Sequence, residues 1–86
     1  MPYIDEQTRK LVLTSLHPQT AGELNFLITT IVDRFIAEND GISYTNINTA
    51  IGVLECAKLE LYRRVAAPYE GRKCVENGDV YSCNNP

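Results

Sequence analysis

The chain has no tryptophan, one methionine and one histidine. No apolar stretch approaches the roughly 18–20 residues that a membrane-spanning helix requires. Positive charge is also scarce. Eight Lys and Arg stand against eleven Asp and Glu, a net charge of −3 with a pI near 5.0, so a strongly basic nucleic-acid coat and duplex binding are excluded. The single histidine, His17, has no second imidazole to share a zinc ion, and the three cysteines form no C-x-x-C pair. Nucleophile-elbow, H-E-x-x-H, Walker and G-x-G-x-x-G patterns are all missing. These absences lead to the expectation of no catalytic residues, no cofactor and no metal site.

What is present is the composition of one small globular domain over residues 1–86, with 44% hydrophobic and 22% charged residues. A chain this short buries only about 60–65% of its unfolded surface and is marginal alone, so association of copies is expected. Met1-Pro2-Tyr3-Ile4-Asp5-Glu6 has neither a basic n-region nor an apolar h-region. That points to a cytoplasmic setting, in which an odd number of cysteines reads as reduced thiols. Cys56 falls in an apolar helical pattern and reads as a small core residue. A bridge between Cys74 and Cys83 is the less favoured alternative.

Three helical stretches follow from capping signals and periodicity. The first is expected from Asp5, a good N-cap, to His17, with Leu11, Val12, Ser15 and Leu16 on one face and Pro18 as the stop. The second opens on Thr20-Ala21-Gly22-Glu23, a T-x-x-E capping box. It carries Leu24, Leu27, Ile28, Ile31 and Phe35 at helical spacing, widened by Phe26, Val32 and Ile36. Asn39-Asp40-Gly41 is its stop, with Gly41 suited to the left-handed position. The third starts near Ser43 or Thr45. Ile47, Ile51, Leu54, Lys58, Leu61 and Val65 alternate spacings of four and three, a seam of the coiled-coil kind with Lys58 as its one polar member. Ala50, Gly52, Val53 and Ala57 lie near it and permit close helix approach. Pro68 is expected to end or redirect this helix.

The tail contains Asn77-Gly78, the strongest short hairpin signal in the chain. A two-residue turn there pairs Glu76 with Asp79, Val75 with Val80 and Cys74 with Tyr81. Like charges opposite each other weaken that pairing, so a simple turn is an equal alternative. Residues 83–86 are expected to fray. The expected fold is therefore all-α: two long antiparallel helices, a shorter N-terminal helix and a C-terminal turn or small β-hairpin, in a bundle-like homo-oligomer.

Charge is unevenly placed. Residues 58–73 hold Lys58, Arg63, Arg64, Arg72 and Lys73 against Glu60 and Glu70, a positive segment inside an acidic chain. Arg offers a planar fork to phosphate, and tyrosine offers a stacking face. Tyr62, Arg63, Arg64, Tyr69, Arg72 and Lys73 are thus the candidate ligand-binding residues. The plainer alternative makes the arginines helix-end charges and the tyrosines surface packing over a small core.

Gly22-Glu23-Leu24-Asn25 with Ile28-Thr29, Lys58-Leu59-Glu60-Leu61-Tyr62-Arg63-Arg64-Val65, Pro68-Tyr69-Glu70 and Glu76-Asn77-Gly78-Asp79-Val80-Tyr81 resemble an uncharacterised family of short proteins associated with bacteriophage and metagenomic genomes. The resemblance runs from the first helix to Tyr81 and brings no established activity, hence no catalytic residues to carry over. It implies a viral protein acting by binding inside a bacterial cell. The function expected is that of a non-enzymatic protein that neutralises a host component, most sharply by sequestering a small anionic nucleotide immune signal in a homo-oligomer. The alternative is a protein–protein inhibitor or adaptor with an exposed apolar, tyrosine-rich helical face.

Overall fold

The structure, a computed structural model, describes residues 3–81. Its elements are helix α1 (Glu6–Ser15), helix α2 (Ala21–Glu38), helix α3 (Tyr44–Leu61), a π-helical turn (Tyr62–Ala66) and helix α4 (Ala67–Asn77). The all-α expectation holds, and no strand occurs among the described residues. The chain forms two compact units, Met1–Ala50 and Ile51–Pro86.

In the first unit the helix ends follow local side-chain chemistry. Asp5 has extended backbone, and its Oδ1 accepts the Thr8 N–H at 2.8 Å. α1 stops at Ser15, two residues short of the expected His17. Leu16 turns left-handed (φ 56°) and donates its N–H to the Val12 carbonyl at 2.8 Å. The stop precedes Pro18 because proline disfavours helix at the residue before it. The Thr20 Oγ1 accepts the Glu23 N–H at 3.1 Å, closing the predicted box from one side. The Glu23 carboxylate reaches one residue further back than expected. It accepts from the Gln19 N–H at 3.3 Å and from the Thr20 hydroxyl at 3.1 Å.

α2 ends as its sequence predicts. Asp40 and Gly41 both adopt positive φ, and the Gly41 N–H donates to the Ile36 carbonyl at 2.9 Å. Ser43 then caps α3 by accepting the Asn46 N–H at 3.0 Å. The Asn46 side-chain amide donates to the carbonyls of Asn39 (2.6 Å) and Gly41 (2.9 Å), tying the start of α3 to the loop before it. α1 packs on α2 through a narrower face than expected. Val12 is buried, and the Arg9 guanidinium lies 5.5 Å from the centre of the Phe26 ring. Leu11 and Leu16, placed on that face by periodicity, are instead 66% and 62% exposed.

In the second unit the backbone stays helical through Pro68. The Ala67 N–H reaches back five residues to the Tyr62 carbonyl, one more than in an α-helix. The cause is Pro68. It has no N–H for the Arg64 carbonyl, and its ring crowds that oxygen; a wide turn just before it relieves the clash. From there α4 continues to Asn77. Its C-terminus takes the simple-turn alternative and not the hairpin. Glu76, Val75 and Cys74 are helical, and Gly78 (φ 86°) donates its N–H to the Cys74 carbonyl at 2.8 Å. The glycine's left-handed freedom ends a helix here instead of turning a hairpin. Cys74 carries a free thiol; Cys83 and the fraying expected at 83–86 lie outside the described residues.

Candidate functional site

The six candidate residues all lie in the second unit, and the structure sorts them into two groups. Tyr62, Arg63 and Arg64 sit on the π turn. Both arginines lean back on one carboxylate: Arg63 Nη2 is 2.9 Å from Glu60 Oε2, and Arg64 Nη1 is 3.7 Å from Glu60 Oε1. These pairs are exposed, so each is worth about 0–1 kcal/mol and yields readily to a better anion. Tyr62 is 55% exposed beside them.

Tyr69, Arg72 and Lys73 sit on α4, three and four residues apart, where helical geometry stacks side chains on one face. The Arg72 guanidinium lies 5.7 Å and the Lys73 ammonium 5.6 Å from the Tyr69 ring centre. Both are within reach of a cation–π interaction. Lys73 also pairs with Glu76 at 3.2 Å. No hydrogen bond, ion pair or ring contact joins this trio to Glu60 and its arginines. Closeness in sequence therefore becomes two separate clusters, not one converging pocket.

A concavity of about 510 Å³, open to solvent, lies where the tail folds back on the end of α4. Glu70, Lys73, Cys74 and Asn77 line it from the helix, and Asp79, Val80 and Tyr81 from the tail. Lys73 is the only candidate residue it contains. A hairpin at Asn77-Gly78 leaves no room for this feature; the simple turn, its equal alternative in the sequence, lets the tail lie against the end of α4. Cys74 is half-buried there. Burial, and then the nearby Asp79 carboxylate, push its thiol above the ordinary cysteine range, away from the thiolate that a nucleophile needs. Cys56, expected in a core, is exposed on α3. His17 is exposed after α1, its N–H directed at the Ser15 hydroxyl 3.3 Å away. Among the described residues, no three His, Cys, Asp or Glu side chains gather in a way that could hold a metal ion. None of their helices is long and apolar enough to cross a membrane.

The feature that sequence reasoning marks for packing and the single chain leaves open is the apolar helix surface. Along α3 and the turn after it, Ile47 (40%), Ile51 (60%), Leu54 (41%), Leu61 (61%) and Val65 (58%) are exposed. On α2, Leu24, Ile28, Ile31 and Phe35 are likewise exposed. Such ordered apolar stripes mark interaction surfaces more often than solvent-facing ones.

Residues 1–80 match the family model described as Domain of unknown function (DUF6899), and the chain belongs to that family. No curated protein and no solved structure matches it.

Proposed function

We propose that this chain is a non-enzymatic binding protein that works by association through its uncovered helix faces. The observation that carries this reading is the periodic α3 seam, apolar by sequence yet open along its length. Covering such stripes with long helices, in an antiparallel pair or in a bundle-like homo-oligomer, supplies the core that a chain of this size lacks. In its biological form this is a phage-encoded protein in the bacterial cytoplasm. It neutralises a host component by occupying that component's surface with an apolar, tyrosine-bearing face. Light scattering on the eluting protein, together with capture from host lysate, tests the reading. Assembly or one specific partner supports it; a monomer that captures nothing removes it.

A second reading is supported by the α4 trio. Arg72 stacks on Tyr69, has no carboxylate partner among the described residues, and shares the ring with Lys73. A small anionic nucleotide finds there a stacking face and two cations, with Tyr62, Arg63 and Arg64 as a further positive surface. A nucleotide bound this way raises Tm by mass action, and Arg72→Ala with Lys73→Ala abolishes the rise. No shift across cyclic dinucleotides and ADP-ribose derivatives removes this reading.

A further inference from the structure

We infer that the α3 seam is covered by the α3 of a second copy running antiparallel to it. This rests on the association reading above and names its partner. Four seam positions within the second unit, Ile51, Leu54, Lys58 and Leu61, are spaced three, four and three apart. That spacing reads the same in both directions. Two copies related by a two-fold axis across the helix therefore place Ile51 opposite Leu61, and Leu54 opposite Lys58, with every seam position filled. All four side chains are open to receive a partner.

Charge chooses the direction. Lys58 is the one ionic group in the seam, and its ammonium already lies 2.9 Å from the Glu55 carboxylate on the preceding turn. In a parallel pair, Lys58 meets Lys58 across the seam, two like charges at one level. In the antiparallel pair, Lys58 lies across from Leu54 and beside Glu55 of the second copy. Each ammonium then has a carboxylate from either chain within reach, and its aliphatic stem covers leucine. A polar residue at a single seam position sets register and direction in this way at some cost in affinity. The off-seam apolar residues Val53 and Leu59 lie among Cys56, Glu60 and Arg63 and form no comparable repeat.

Cross-linking of the full chain tests this, with Cys56, Cys74 and Cys83 replaced by serine. Ile51→Cys and Leu61→Cys, made separately and mixed, give an oxidised heterodimer, while each alone gives none. In the antiparallel register only the mixed pair comes within the roughly 7 Å Cα separation that a disulfide tolerates. Either single variant cross-linking to itself shows a parallel pair and overturns the inference, while leaving the association reading standing. In sedimentation equilibrium of the otherwise native chain, Lys58→Glu weakens dimerisation about tenfold or more, as juxtaposed like charges do. Adding Glu55→Lys restores it. Ile51, Leu61, Lys58 and Glu55 are exposed, so these substitutions preserve folding, and circular dichroism of each variant, the serine background included, checks it. A chain that stays monomeric to high micromolar concentration overturns self-pairing, and host-protein capture then decides the association reading separately.

Discussion

Replacing Pro68 by alanine is the sharpest perturbation of the local fold. Proline in a helix interior is about 3 kcal/mol less favourable than alanine. Here the π turn has already relieved the ring clash, so only part of that difference is recoverable. A restored N–H at position 68 offers the Arg64 carbonyl a partner, worth about 1 kcal/mol net, and lets the wide turn close to α geometry. Against this, the unfolded chain regains freedom when proline is removed, which costs about 0.4–1 kcal/mol. The balance is a gain of about 0–0.6 kcal/mol, which for a domain of this size raises Tm by at most roughly 5 °C. Thermal unfolding followed at 222 nm reads it. A second readout is geometric. Closing the turn shifts α4 by one residue, about 100° around the helix axis, relative to the residues before Tyr62. Nuclear Overhauser contacts across the turn report that rotation. A lowered Tm, with the i→i−5 bond from Ala67 still in place, refutes proline as the cause of the wide turn.

Further outcomes follow from the caps and the tail. Thr20→Ala removes the acceptor for the Glu23 N–H and lowers stability by about 1 kcal/mol, measured by urea unfolding. The Thr8 N–H holds the Asp5 carboxyl below its ordinary value of 3.8. Its stabilising contribution is therefore full above that value and lost as pH falls through the lower folded value. In Tm titrations from about pH 5 to about pH 2, Asp5→Asn flattens the acid limb. Asp79→Asn removes the carboxylate charge that, after burial, raises the Cys74 thiol, so iodoacetamide labels Cys74 faster at pH 8 while the Cys56 rate is unchanged, read by peptide mass spectrometry.

The parts of the fold legible in the sequence are those determined within one turn of helix. Asp5, Thr20, Ser43 and Gly41 each satisfy a backbone group three to five residues away, and that chemistry needs no tertiary information. Pro68 and Asn77-Gly78 were ambiguous for a related reason. Each relieves a local strain that has two solutions, and what lies next in the chain chose between them. Helix formers beyond Pro68 favoured a wide turn over a stop. A helix already running into Asn77 made Gly78 a terminus and not a hairpin corner.

The candidate site was legible as composition and not as geometry. Helical rotation distributes Arg63, Arg64, Arg72 and Lys73 around the axis, and the carboxylates of Glu60 and Glu76 divide them further. The seam has the opposite character. Its period of three and four says which residues share a face, which the structure respects, but periodicity carries no label for what covers that face. Ile51, Leu54 and Leu61 read as a packing seam because apolar stripes are normally covered, and each is open in the single chain. In the antiparallel pair we propose, that uncovered face becomes an interface, and Lys58, the one seam residue that breaks the apolar pattern, sets which way the second helix runs.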